Sequence, residues 1–369
     1  MEQKPTPLFI QKSFFRPVCN AEEIERVFNV QTPQDYLLKL RAETIVDNMR
    51  LFRVYRNKAL RQERSWSLES SFSTTHYSNF LNALKDNKSK ENCELITAGN
   101  IFSTEPNGFA FHTEYGPIIT ICDSLRFFLK FMHLGLLDFG GAIPDYVAVN
   151  SMRIALRVML QTEALDFFMD PRGILPKQRV DQIHEPIKYQ LQFIAGHEYA
   201  HHILGHVPEH SSSKRPVIRA MFKSQDDYGL EKIYSYAQQQ EFEADIQSIM
   251  LCEYGNLEKQ KVFEAALLWF ACLDVYELVA DIISPSSKIS NHPPARDRFN
   301  NLLENVTLTK PHNYAKWQKL LNRVDACKQF FIDDVGFNIE LYEFYGSLYF
   351  DKPNTKWRGK ELIDRKDYY

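Results

Sequence analysis

The sequence feature that most constrains this chain is the run at residues 196–201, which reads G-H-E-Y-A-H. Apolar residues flank it on both sides, so the segment is typical of a buried helix. Positions four apart share one face of a helix, so His197 and His201 can offer two imidazoles to one metal ion. Glu198 stands next to the first imidazole, where it can hold and deprotonate a water at that ion.

Such a short pattern also arises by chance, and a helix without a metal is the competing interpretation. Against it, a buried His-Glu-His face without an ion would leave costly unpaired polar groups. A later helical segment carries Glu241 and Asp245, again four apart. Catalytic zinc needs three protein ligands and one open position. Glu241 is therefore the candidate third ligand. Asp245 is the candidate partner of a ligating histidine. Glu243, which lies on another face of the helix, is the alternative third ligand.

The residues after His201 separate the classes of H-E-x-x-H peptidase. One class continues as H-E-x-x-H-x-x-G-x-x-H, but this chain has Leu204 and Val207 at the required glycine and histidine positions. That class is excluded. The pattern favours the class that takes its third ligand from an E-x-x-x-D sequence on a later helix, which Glu241 and Asp245 match.

Composition limits the remaining possibilities. The chain has 369 residues, a net charge of −3 and 44% hydrophobic residues, so it can bury a large core and has no basic excess for nucleic acid. Its six cysteines are scattered, which favours reduced thiols. The most apolar segment, 262–283, is interrupted by four acidic residues and falls short of a membrane span. With no signal-peptide pattern at the N-terminus, we expect a cytoplasmic protein.

The chain predicts a mostly helical α+β fold with a small sheet. Residues 115–122 are typical of a strand, and Pro117 favours a strand start or a sheet edge. Three regions are expected: a helical and irregular region at 1–94, a catalytic domain at 95–305, and a helical extension at 306–369 packed on the core. Helices are predicted at 21–28, 33–58, 79–84, 125–137, 152–168, 186–205 with Pro186 in the first turn, 230–254, 257–283, 292–303 and 314–331.

In these motifs the chain resembles the HtpX-type and CAAX-prenyl-protease gluzincins. Five pieces match that family's pattern in order: residues 107–111, the strand at 118–122, the H-E-x-x-H helix, the E-F-E-A-D helix, and His292-Pro-Pro followed by Arg298. The resemblance covers residues 107–303. A weaker resemblance to the Lit-type phage-exclusion proteases rests on the zinc helix, the size and the lack of membrane spans, and implies a regulated or defence-related peptidase.

The gluzincin resemblance implies a zincin-like core with one Zn²⁺ on His197, His201 and Glu241. It implies Glu198 as general base, Asp245 as partner of a ligand histidine, and a strand at 118–122 that lies at the sheet edge, borders the cleft and pairs with an extended peptide. It also places His292 or Arg298 near the site. For these two, a helix-start segment and a surface or structural arginine are the alternative interpretation.

The function expected from the sequence is hydrolysis of peptide bonds in an intracellular protein. The alternative is a catalytically silent zincin-fold module that binds or regulates a partner. A third interpretation is a peptidase that needs an activating partner or ligand, with the terminal regions covering the cleft. The remaining histidines near the motif, His202, His206 and His210, are expected on the exposed side of the helix and in the following loop.

Overall fold

The computed structural model describes residues 8–46, 65–102, 107–168, 170–207, 230–285 and 292–350, and five further positions at 52, 53, 56, 57 and 61. For residues 230–237 it describes the backbone alone. The prediction for His210 lies outside the described residues, as does the part of the predicted C-terminal extension beyond residue 350.

The described chain is mostly helical, as the sequence predicted, and its helices supply most of the hydrophobic core. In chain order they are α1 (Leu8–Phe15), α2 (Ala21–Phe28), α3 (Pro33–Val46), α4 (Thr75–Ala83), α5 (Asn87–Glu94), α6 (Leu125–Leu136), α7 (Asp145–Met159), α8 (Lys177–Ile203), α9 (Leu230–Met250), α10 (Asn256–Ile283), α11 (Ala295–Asn305) and α12 (Tyr314–Glu343).

A three-stranded mixed sheet separates α5 from α6. Its strands are β1 (Thr97–Ile101), β2 (Gly108–Thr113) and β3 (Gly116–Cys122), in the order β1-β3-β2. β3 runs parallel to β1 and antiparallel to β2. The small sheet therefore has β3 at its centre and β1 and β2 as its two outer strands.

This order corrects the prediction that the strand at 118–122 lies at the sheet edge and pairs with substrate. Both edges of β3 are already hydrogen-bonded, to β1 and to β2. The physical reason is visible in the side chains, because residues 118–122 are all buried. A continuous buried run of this kind is typical of a central strand. The strand that lies against the H-E-x-x-H helix and whose outer edge pairs with no other strand among the described residues is β2.

The H-E-x-x-H helix, α8, is the central element of the fold. It contacts α4, α5, α6, α9, α10 and β2, and residues 190–200 are almost all buried. The prediction that Pro186 begins this helix is wrong, since Pro186 lies inside a helix that starts at Lys177. Ile183 and Ile187 on either side of the proline are buried, and their packing offsets the backbone hydrogen bond that Pro186 cannot make.

Other helix boundaries also differ from the prediction. α7 begins at Asp145 and ends at Met159, earlier at both ends than the expected 152–168. The chain leaves the helix at Gln161, which adopts a positive φ of 62°. Beyond it, the buried Arg172 guanidinium donates to Glu163 and Asp166, so ion pairs hold this segment where periodicity suggested a helix.

One hydrophobic cluster runs through all three predicted regions, from Val18 near the N-terminus to Tyr342 in α12. The boundaries near 94 and 305 stay predictions. α12 packs along α10, and all six cysteines are free thiols, five of them buried. None of the described helices carries an apolar stretch long enough to cross a lipid bilayer.

Candidate metal centre

The three predicted ligand side chains meet at one point between α8 and α9. His197 and His201 lie one turn apart on α8, and their Nε2 atoms are 3.0 Å apart. Glu241 on α9 brings one carboxylate oxygen to 3.4 Å from Nε2 of His197 and the other to 3.4 Å from Nε2 of His201. The side chains are mostly buried, with His197 and Glu241 only 7% and 8% exposed.

These separations fit a metal ion. A tetrahedral zinc ion with bonds of about 2.0–2.1 Å holds its ligand atoms about 3.3 Å from one another. The observed spacings of 3.0, 3.4 and 3.4 Å lie close to that value. Among the described residues this is the one group of three or more histidine, cysteine and carboxylate side chains spaced to hold a metal. The donor set of two imidazoles and one carboxylate also suits zinc.

The charges of the cluster also favour a bound cation. Three buried carboxyl groups, those of Glu198, Glu241 and Asp245, lie with one guanidinium, that of Arg298. With neutral histidines this leaves an excess of negative charge that a divalent cation would balance. Without an ion, burial opposes charge on His197, but Asp245 and Glu241 outweigh burial and raise its pKa to about 10. A bound cation would take the place of that proton.

Asp245, four positions after Glu241, lies against the first of the two histidines. Its Oδ1 lies 2.9 Å from Nδ1 of His197, which leaves Nε2 of that ring directed at the cluster. Arg298 donates to both oxygens of Asp245 and lies 3.3 Å from the Glu241 carboxylate. Arg298 is therefore a buried part of the site, and the interpretation as a surface arginine is wrong.

His292 also reaches the cluster. Its Nδ1 lies 2.9 Å from Oε2 of Glu241, and its side chain is 34% exposed. The segment before α11 thus contributes a partner for Glu241 in addition to starting the helix. Burial raises the pKa of the Glu241 carboxyl, but the nearby His292 and Arg298 outweigh burial and hold that pKa well below its usual range. Glu241 is therefore ionised, as a metal ligand must be.

Glu198 lies beside the ligand cluster and faces strand β2. The residue is 8% exposed, and burial raises the pKa of its carboxyl group to about 7 despite the opposing effect of His197. Gly108 of β2 is so close that a Cβ at this position would lie 2.7 Å from Oε1 of Glu198. The backbone of an outer strand therefore runs directly past the predicted general base. Sequence reasoning gave Gly108 no such role.

Several further predictions can be compared with this geometry. Glu243 lies away from the cluster with its side chain 54% exposed, so it is not the third ligand. The His202 ring packs edge-on against His112 of β2, with the ring centres 5.4 Å apart. The expectation that His206 is exposed is wrong, because its side chain is 7% exposed. Tyr199, which follows Glu198 in the sequence, is buried in a stack with Phe80.

Comparison with known proteins found no protein-family model, no curated protein and no solved structure that matches this chain.

Proposed function

We propose that this chain is a zinc-dependent endopeptidase of the gluzincin type, with a zincin-like core formed by α8, α9 and the small sheet. One observation carries the proposal. Two imidazoles and a carboxylate from two helices converge at the spacing of a tetrahedral ion, and the buried carboxyl of Glu198 lies beside them. Three protein ligands leave one position open, as in catalytic zinc sites rather than closed structural ones.

His197, His201 and Glu241 would hold the ion. Zinc held there would lower the pKa of a water molecule and polarise a carbonyl group of the substrate. In the metal-free chain burial raises the pKa of Glu198 to about 7, near the value at which a group both accepts and returns a proton at neutral pH. Glu198 takes the proton from the attacking water and passes it to the leaving amine. The reaction class is therefore hydrolysis of an amide bond.

Strand β2 is suited to bind a peptide next to Glu198. Within the described part of the chain its outer edge pairs with no other strand, and an extended peptide can add to a free edge through main-chain hydrogen bonds. The absence of a side chain at Gly108 lets the strand approach the catalytic carboxylate. This favours a protein or peptide substrate bound as an extended strand, on β2 rather than on β3.

Three outer residues hold the ligands in place. Asp245 fixes the ring of His197, and Arg298 ties Asp245 to Glu241. His292 contacts the remaining side of Glu241. Outer partners of this kind set the orientation of metal ligands, and their loss commonly weakens metal binding about 10- to 100-fold.

The substitution Glu198→Gln tests the proposal, because it removes the base while it keeps the size of the side chain. We expect purified Glu198→Gln to bind one zinc per chain, like the parent, and to cleave casein about 10²- to 10⁴-fold more slowly. Glu185→Gln is the matched control, since Glu185 lies on the same helix with its side chain 61% exposed, and it should cleave at the parent rate. Equal cleavage by Glu198→Gln and parent would contradict the assigned role. Zinc binding without peptidase activity in the parent would favour the silent module instead.

A further inference from the structure

The end of helix α8 contains a feature that the metal site described so far does not use. The helix stops in a Schellman motif, in which two backbone hydrogen bonds close the last turn around a left-handed residue. Gly205 is that residue, with φ of +72°. The N–H of His206 donates to the carbonyl of His201 at 2.8 Å, and the N–H of Gly205 donates to that of His202 at 3.1 Å.

This motif brings together two side chains five residues apart. In a Schellman motif the residue after the glycine packs against the residue that accepts the longer-range hydrogen bond. These two residues are His206 and His201. Their ring centres lie 5.3 Å apart, and Nδ1 of His206 lies 3.1 Å from Nδ1 of His201. The backbone at the end of α8 therefore places the imidazole of His206 next to Nδ1 of His201, the nitrogen that faces away from the metal cluster.

The other side of His206 faces a carboxylate. Its Nε2 lies 3.5 Å from Oε2 of Glu243 on α9, whereas Glu243 itself is about half exposed. His206 is thus enclosed between a candidate metal ligand and an acidic side chain. Glu243 was the rival third ligand in the sequence, and the structure places it in this outer position instead.

The arrangement fixes the hydrogen on each ring. If Nε2 of His201 binds a metal ion, its Nδ1 must carry the hydrogen and needs an acceptor. Nδ1 of His206 is the group at hydrogen-bonding distance, so it accepts. The hydrogen of His206 then lies on Nε2 and points toward the Glu243 carboxylate, which stabilises this tautomer.

We infer that His206 is a positioning residue of the metal site, which orients His201 through its Nδ1 and is itself oriented by Glu243. It does for the second histidine ligand what Asp245 does for the first. This inference rests on the proposed function, because it requires an ion at Nε2 of His201. In the sequence this arrangement is marked by Gly205-His206 directly after H-E-x-x-H-H-I-L. The glycine ends the helix, and the chain then folds back so that His206 lies against His201.

The test measures zinc affinity, by competition with a chromophoric chelator, in the full-length parent and in variants. His206→Phe keeps a ring in the packed position and removes the acceptor, so we expect zinc to bind about 10- to 100-fold more weakly. His206→Asn can place an oxygen near the position of Nδ1 and should recover most of the affinity. If His206 only filled space, His206→Phe would bind zinc more tightly than His206→Asn. Glu243→Gln should weaken binding by less than His206→Phe.

His184→Phe is the matched control, because His184 lies on the same helix on its exposed side, and it should bind zinc like the parent. Unchanged affinity in a folded His206→Phe, or no recovery in His206→Asn, would overturn the inference and leave the peptidase proposal intact. If His206→Phe does not fold, the comparison of His206→Asn and Glu243→Gln with the parent decides, and a Glu243→Gln affinity equal to that of the parent would overturn the inference. A parent protein that binds no zinc would overturn both.

Discussion

The guanidinium of Arg298 donates two hydrogen bonds to the carboxylate of Asp245, at 2.8 and 2.6 Å, beneath the metal cluster. Both side chains are almost completely buried. Burial opposes the charge of Asp245, but the contacts with Arg298 and His197 outweigh it and lower the pKa of Asp245. Because Asp245 in turn contacts Nδ1 of His197, Arg298 holds the carboxylate that would orient the first proposed ligand.

Arg298→Ala would leave the Asp245 carboxylate buried without its cation. Breaking a buried ion pair from one side costs about 3–5 kcal/mol, and we expect a loss of that size in the unfolding free energy of the metal-free protein, measured with urea. Arg296→Ala on the same helix is the control. The Arg296 side chain is 28% exposed and pairs with Asp274 and Asp325. Lys328 remains near Asp274, so the loss should be clearly smaller. Equal losses would show that the Arg298 pair has no special role.

Gly108→Ala tests the close approach of β2 to the predicted base. The added methyl would lie 2.7 Å from Oε1 of Glu198 and 3.2 Å from Ile194, so the carboxylate must move. A displacement of about 1 Å in a catalytic group can lower the rate about 100-fold, and we expect a fall of that order in kcat for casein with zinc content unchanged. Gly336→Ala, where a Cβ meets no neighbour within 4 Å, should retain the parent rate. A fully active Gly108→Ala would place the base elsewhere.

The pH dependence of stability can be predicted from His133, which is fully buried in α6 with its Nδ1 3.2 Å from the carbonyl of Ile183. Burial lowers the pKa of His133 from 6.5 to about 4. Between these values the unfolded chain binds a proton that the folded chain does not. The contribution of the neutral, buried His133 to the free energy of unfolding is therefore fully present above pH 6.5. It decreases by about 1.4 kcal/mol per pH unit as the pH falls from 6.5 toward 4.

His133→Asn can keep a hydrogen-bond donor for Ile183 and removes the titrating group. Denaturation of parent and variant at pH 7, 6 and 5 should show a shallower acid dependence in the variant, even if its stability at pH 7 is lower. If the free energies of unfolding of parent and variant decreased equally with falling pH, His133 would have the same pKa in the folded and unfolded chains.

The sequence was most informative where chemistry and helical period agree. The four-residue spacings of His197 and His201, and of Glu241 and Asp245, fix which side chains share a face. That was enough to predict the cluster that the structure brings together. Nothing in such spacings states the distance between α8 and α9, which depends on packing across the whole core, so the meeting of the two pairs needed the structure.

The misses have physical reasons of their own. Pro117 indicated either a strand start or a sheet edge, and it lies at the start of β3. The edge position of residues 118–122 came from the gluzincin resemblance. Strand order depends on pairing partners far along the chain, so the buried run at 118–122 was the better signal. Pro186 suggested a helix start, whereas tertiary packing carries α8 through it. The role of His206 was missed because it depends on the backbone geometry of a helix stop rather than on helical spacing. The sequence Leu204-Gly205-His206 contained that signal.

The most direct measurement is the anomalous scattering of zinc in crystals of the zinc-loaded protein. We expect one peak per chain between Nε2 of His197, Nε2 of His201 and the Glu241 carboxylate, about 2.0–2.2 Å from each ligand atom. The peak should be absent in crystals of Glu241→Ala grown under the same conditions. Zinc bound at another place in the parent, or no zinc between these three side chains, would contradict the account.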